Sequence, residues 1–147
     1  MDIKKYIEEN RENKLTDNFR LWEFIENKWA TPEEIERIYE TYIHSSDLQE
    51  NIQELAENFQ VLRNELGKAI TINIGLRPLW WEIARNRSGG SMHVYGKAGD
   101  IVVKGTKPKE VAKKIQELID KGEMSKGGLK AYSTFTHYDT RGRNARW

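Results

Sequence analysis

The sequence predicts an α+β domain, with N-terminal helices followed by a small, mainly antiparallel sheet. Three observations predict it. Apolar residues recur at helical spacing from Leu21 to Leu66. The period then changes at Ala69-Ile70-Thr71-Ile72-Asn73-Ile74-Gly75, which is β-branched and alternating. Beyond it, short β-type runs alternate with glycine-bearing turns around one further helix.

The elements follow in order. Residues 1–14 are highly charged and read as a short exposed helix or peripheral arm. Leu15-Thr16-Asp17-Asn18-Phe19 reads as a helix entrance, with polar caps ahead of Leu21, Trp22, Phe24 and Ile25. Thr31-Pro32-Glu33-Glu34 opens another helix: Thr31 can accept a backbone N–H, and Pro32 suits the first helical position. Leu48, Ile52, Leu55, Phe59, Leu62 and Leu66 form one apolar stripe that ends at Gly67. The stripe is too short for a coiled coil, so it is expected to pack on a sheet. After the strand at 69–75, Arg77-Pro78 breaks the chain, Leu79 to Ala84 gives one or two helical turns, and 86–90 is a loop. Asp100 to Lys104 is a second strand. Thr106-Lys107-Pro108 opens a helix with Val111, Ile115, Leu118 and Ile119 on its core face. Leu129 to Tyr138 supplies the remaining strands.

A chain of 147 residues is most simply one domain, spanning 1–147. With no cysteine, it has no thiolate metal site, disulfide framework or thiol nucleophile. Charged residues make up 32% of the chain and nearly cancel, leaving +1, so global charge does not point to a polyanion. The basic tail Arg141, Arg143 and Arg146 lacks an accompanying aromatic recognition motif, and no nucleic-acid partner is expected. The N-terminus has no apolar signal region, and no run approaches the roughly 20 apolar residues of a membrane span. The expectation is a monomer made in the cytoplasm, without membrane insertion.

Only three histidines occur. His93 lies seven residues before Asp100, with Gly96, Ala98 and Gly99 between them; His137 lies beside Asp139 near the C-terminus. Two neutral imidazoles and a carboxylate can hold Zn2+ and leave a position open for water, the arrangement of a hydrolytic site. The alternative for each residue alone is structural: a hydrogen-bonded histidine, as expected for His44, or a turn aspartate.

Ser91-x-His93-x-x-Gly96-x-Ala98-x-Asp100 resembles the SxHxxGxAxD signature of the zinc D-Ala-D-Ala carboxypeptidases and peptidoglycan endopeptidases, in the group that includes lysostaphin and the Sonic hedgehog fold. The ending Phe135-Thr136-His137-Tyr138-Asp139-Thr140-Arg141-Gly142, closed by Arg146-Trp147, is similar to that of short phage-type members, and Leu15 to Phe24 is similar to their opening. The resemblance implies a hedgehog/D-Ala-D-Ala peptidase-like fold. It also implies a Zn2+ site of His93, Asp100 and His137, and a peptidoglycan stem peptide as substrate, in the manner of an endolysin delivered to the wall. Two departures stand out. Asn73-Ile74-Gly75-Leu76-Arg77 keeps the family's arginine but not the serine and aromatic that commonly precede it. Thr134 occupies the position of a glutamate base found in some branches.

The roles follow with their alternatives. Asp139 is the candidate general base, or else orients a ligand histidine or anchors Arg141. Arg77 is expected to bind a substrate carboxylate or steady the oxyanion, or else to form a surface salt bridge. Ser91 contacts substrate or braces its loop. Trp80, Trp81, Tyr95, Tyr132 and Tyr138 are candidates for a cleft or for the core, and Trp147 for pinning the tail. The alternative function is non-catalytic: a zinc-holding domain of the same fold serving as a phage structural or binding module.

Overall fold

The computed structural model describes residues 1–147. Helix α1 (Ile3–Asn10) is capped by Asp2, whose carboxylate accepts from the N–H groups of Lys4 and Lys5. Next comes a short hairpin, β1 (Lys14–Thr16) and β2 (Phe19–Arg20), and then α2 (Leu21–Ile25). The hairpin corrects the helix entrance expected over 15–19. Asp17 and Asn18 make a turn between paired strands, and Asn18 bonds Gln60 rather than capping a helix. Helix α2 starts only at Leu21, where the Glu23 carboxylate accepts the Arg20 N–H at 2.7 Å.

Helix α3 (Pro32–Ile43) has the cap that its sequence predicts. Thr31 Oγ1 accepts from the Glu34 N–H while Glu34 accepts from the Thr31 N–H. Helix α4 (Ser46–Leu66) is the central strut, and Gly67 closes it in the left-handed region, with φ 64°. A four-stranded antiparallel sheet follows, built from β3 (Ile70–Ile74), β4 (Ala98–Val103), β5 (Leu129–Ala131) and β6 (Thr136–Asp139) in the order β3-β4-β6-β5. Helix α5 (Leu79–Ala84) and a 3-10 turn (Met92–Tyr95) lie between β3 and β4, and α6 (Pro108–Asp120) lies between β4 and β5.

One face of this sheet is core and the other carries the site. Strand side chains alternate, so Gly99, Ile101 and Val103 of β4, with Tyr138 of β6, face α4 and α6. Phe59 of α4 packs on the Tyr138 ring at 5.7 Å. Gly99 is required where α4 crosses, because a Cβ there would stand 2.6 Å from the Phe59 ring. Ile52, Leu55, Phe59, Leu62, Ile115 and Leu118 are at most 1% exposed. Each such side chain contributes about 1.5–3 kcal/mol by leaving water. The stripe on α4 therefore packs on a sheet, as its period and length suggest. The opposite sheet face carries Asp100, His137 and Asp139.

Candidate metal centre

Asp100 on β4 and His137 on β6 are direct partners across the antiparallel ladder. The pairing alone brings their side chains together. His93 arrives from the 3-10 turn. Ser91 caps that turn by accepting the His93 N–H at 3.2 Å, and Gly96 ends it with φ 68°, a conformation that suits glycine. The seven-residue spacing thus covers one tight turn and the return into β4. His44, by contrast, is exposed at the end of α3.

Each imidazole is held from behind. His93 Nδ1 lies 2.8 Å from the carbonyl oxygen of Gly75, which can only accept, so this nitrogen carries the proton. His137 Nε2 lies 2.8 Å from Asp139 Oδ2, an acceptor of the same kind. In the neutral rings the other nitrogens, His93 Nε2 and His137 Nδ1, are then bare lone pairs. They point at Asp100 Oδ1 from 3.2 and 3.0 Å. Three acceptors thus converge with no donor between them. The arrangement repels itself unless a cation enters or the imidazoles protonate. Burial acts against the charged form of Asp100, yet its contacts with His137 and His93 hold the carboxyl well below the usual carboxylate range. Burial likewise lowers His137, while Asp100 and Asp139 outweigh it and leave the net shift upward.

The chemistry of this donor set fits zinc. The three ligand atoms lie within 4.8 Å of one another. A tetrahedral ion with bonds of about 2.0–2.1 Å spaces its donors by roughly 3.3 Å, close to the two observed contacts to Asp100. Back-bonded imidazoles, one to a carbonyl and one to a carboxylate, are the usual outer support of metal-ligating histidines. The site is sheltered: His93 is 2% exposed, His137 8% and Asp100 9%.

The other predicted residues divide. Asp139 is fully buried. Its Oδ1 accepts from the Gly128 N–H at 2.8 Å and from Arg141 Nε at 2.9 Å, and its Oδ2 accepts from Arg141 Nη2 at 2.7 Å besides meeting His137. Burial acts to raise its pKa, but these bonds hold it well below the usual range. With both oxygens occupied and no exposure, its contacts are those of the alternative role, orienting His137 and anchoring Arg141. Ser91 Oγ accepts from the His93 N–H and from Arg77 Nη2. It braces the loop, and it also lines the cavity over the donors. Arg77, displaced downward by burial but opposed by Glu82 and Asp100, sits beside the donor set. Its Nε, 3.6 Å from Glu82, has no hydrogen-bond partner.

Two adjoining cavities open here. One, of about 340 Å³, lies over the donors and is walled by Met92, Tyr132, Phe135, Arg141 and Trp147. The other, of about 460 Å³, is bounded by Lys28, Trp29, Trp81, Arg85 and Thr134. Arg77, Arg87, Asp100 and Phe135 line both. Of the candidate aromatics, Trp81 and Tyr132 line the cleft. Tyr138 is core, Tyr95 is exposed, and Trp80 is tied to Thr41. Trp147 does more than pin the tail: its ring meets His137 edge-on at 5.3 Å, and its Nε1 donates to the Tyr132 hydroxyl. Sequence reasoning missed Arg87, Lys28 and the Gly75 carbonyl. Arg87 sat in a segment read only as a loop, and a backbone acceptor leaves no mark in sequence.

Fold and donor set define an α+β protein built around a two-histidine, one-carboxylate centre of hydrolytic type. The family model for Peptidase M15 matches residues 28–139, and the chain belongs to that family. No curated protein matches the chain.

Proposed function

We propose that the protein is a zinc-dependent peptidase that hydrolyses a peptide bond of bacterial peptidoglycan, acting as a D-Ala-D-Ala carboxypeptidase or an L-Ala-D-Glu-type endopeptidase. What supports this is the convergence of His93 Nε2, Asp100 Oδ1 and His137 Nδ1 with both back nitrogens anchored, in a chain of the Peptidase M15 family. Zinc bound to these three residues supplies Lewis acidity that activates water and polarises a carbonyl. The chain's own groups do the rest. Arg77, braced by Ser91 at 3.2 Å, presents a fixed cation where negative charge grows on the carbonyl oxygen. Phe135, Tyr132 and Trp147 wall the cavity in which a peptide would lie over the donors. The setting that fits is a wall enzyme released or delivered by phage lysis, monomeric, with a stem peptide as its partner.

A second reading has its own observation: Asp100 is the sole carboxylate lining either cavity. With Thr134 in place of a glutamate, no carboxylate base faces the substrate. This favours a metal-holding binding module of the same fold. The two readings separate when zinc-loaded protein is incubated with purified peptidoglycan and soluble fragments are identified by mass spectrometry. Fragments cut at one peptide bond support the peptidase, and their masses name the bond. Intact peptidoglycan in the presence of demonstrably bound zinc sinks it. His93→Ala should abolish zinc occupancy, and unchanged metal content would refute the centre itself.

A further inference from the structure

The larger cavity is lopsided in charge. Lys28, Arg77, Arg85 and Arg87 line it, against the single carboxylate Asp100, which belongs to the donor set. Two acids stand behind this lining. Glu34 accepts two bonds from Arg85 at 3.0 Å, so that guanidinium is paired. Glu82, 2% exposed, is left to serve both Arg77 at 3.6 Å and Arg87 at 3.4 Å. Neither contact is a hydrogen bond, and the Arg87 guanidinium makes none elsewhere. Lys28 lies over the Trp29 ring at 4.9 Å and makes no ion pair.

Orphaned donors mark the same place. The Trp81 indole N–H and Arg77 Nε are buried without an acceptor, and Trp81, which lines the cavity, is only 3% exposed. A buried unmade hydrogen bond costs about 1–3 kcal/mol. The chain thus lines this space with more cations than it pairs: Asp100 belongs to the donor set, Asn73 and Thr134 add only neutral groups, and behind the lining Glu82 Oε2 is buried without a hydrogen bond of its own.

We propose that this cavity is a carboxylate subsite, in which Arg87 and Lys28 hold an acidic group of the peptide presented at His93, Asp100 and His137. It rests on the peptidase reading for the peptide, and on the lining of the cavity for the charge. A volume of about 460 Å³ accommodates a side chain of glutamate size. Arg77 and Arg87 line both cavities, so a group in this one lies next to the bond over the donors. An uncharged analogue leaves the cations unpaired, which is how such a site rejects it.

The test reads binding first and turnover second. Zinc-loaded, 15N-labelled protein is titrated with three probes: N-acetylglutamate α-amide, with only a side-chain carboxylate; N-acetylglutamine, with only a terminal one; and N-acetylglutamine amide, with neither. At least one carboxylate probe should shift the Trp81 indole resonance, and which one does so tells a side-chain group from a chain end. The neutral amide should not. Arg87→Gln should weaken that binding by roughly tenfold or more, the range of a bond to a charged group. Lys28→Gln, at an exposed position, should weaken it too. Equal shifts from all three probes, or full affinity in both variants, overturns the subsite. Because the titration needs no catalysis, it decides the subsite even if no peptide is cleaved. If peptides are cleaved without regard either to Glu against Gln or to a free against an amidated chain end, the subsite fails while the peptidase stands.

Discussion

Both carboxylate oxygens of Asp139 are fixed, one by Gly128 and Arg141 Nε, the other by Arg141 Nη2 and His137 Nε2. This carboxylate sets the tautomer of His137 and so aims its Nδ1 at the metal position. Asp139→Asn keeps shape and volume but removes the charge and places an amide beside Nε2. Zinc affinity should fall by about 10–100-fold, the usual effect of losing such a support. A chromogenic chelator in competition measures it, with circular dichroism to check the fold. Retained zinc affinity with lost peptide hydrolysis would instead make Asp139 the proton carrier. Two positions apart on a strand, His137 and Asp139 could be assigned to one face from sequence. That Arg141 and Gly128 hold the same carboxylate could not, since those bonds depend on how the tail folds back.

Among the elements, the three N-terminal helices are tied at one point. The Tyr39 hydroxyl of α3 donates to Glu26 at 2.6 Å, just past α2, and Arg11, just past α1, grips the same carboxylate at 3.0 and 3.1 Å. Burial, and then the bond to Glu26, push the Tyr39 phenol above its ordinary value. A group whose pKa is raised by folding contributes stability that is complete below its unfolded pKa, about 10 for tyrosine, and is lost as pH climbs past it. Tyr39→Phe should be less stable than the parent by roughly 1–3 kcal/mol at pH 8. The gap should narrow by up to about 1.4 kcal/mol per pH unit above pH 10. Urea unfolding of both proteins from pH 8 to 11 checks this, and a constant gap would contradict it. The amphipathic elements α3, α4 and α6 could be read from apolar period and caps, because each buries one continuous apolar stripe. The β1–β2 hairpin could not: three- and two-residue strands carry no period, and Gln53 and Gln60 of the distant α4 hold them.

For the whole molecule, the ladder pairing of Asp100 with His137 is the link between fold and centre. The donors could be named from sequence, since the spacing of His93 and Asp100 and the paired motifs mark them. The cavities could not, because Lys28, Arg87 and Trp147 come from three separate segments that only the packed chain assembles. The same packing leaves two imidazole lone pairs facing Asp100 Oδ1 at 3.0 and 3.2 Å, so the folded chain gains when a cation enters and the unfolded chain gains little. At free zinc 100 times its Kd, the stabilisation is about 2.7 kcal/mol. For a chain of this size that raises Tm by on the order of 5–10 °C. The metal requires neutral imidazoles, which protonate near pH 6.5 when free, so the gain should shrink steadily as pH falls from 7.5 to 5. Thermal melts with zinc and with a chelator across that range measure it. His137→Ala should show no zinc-dependent shift at any pH, and a shift that persists in that variant would place the metal elsewhere on the protein.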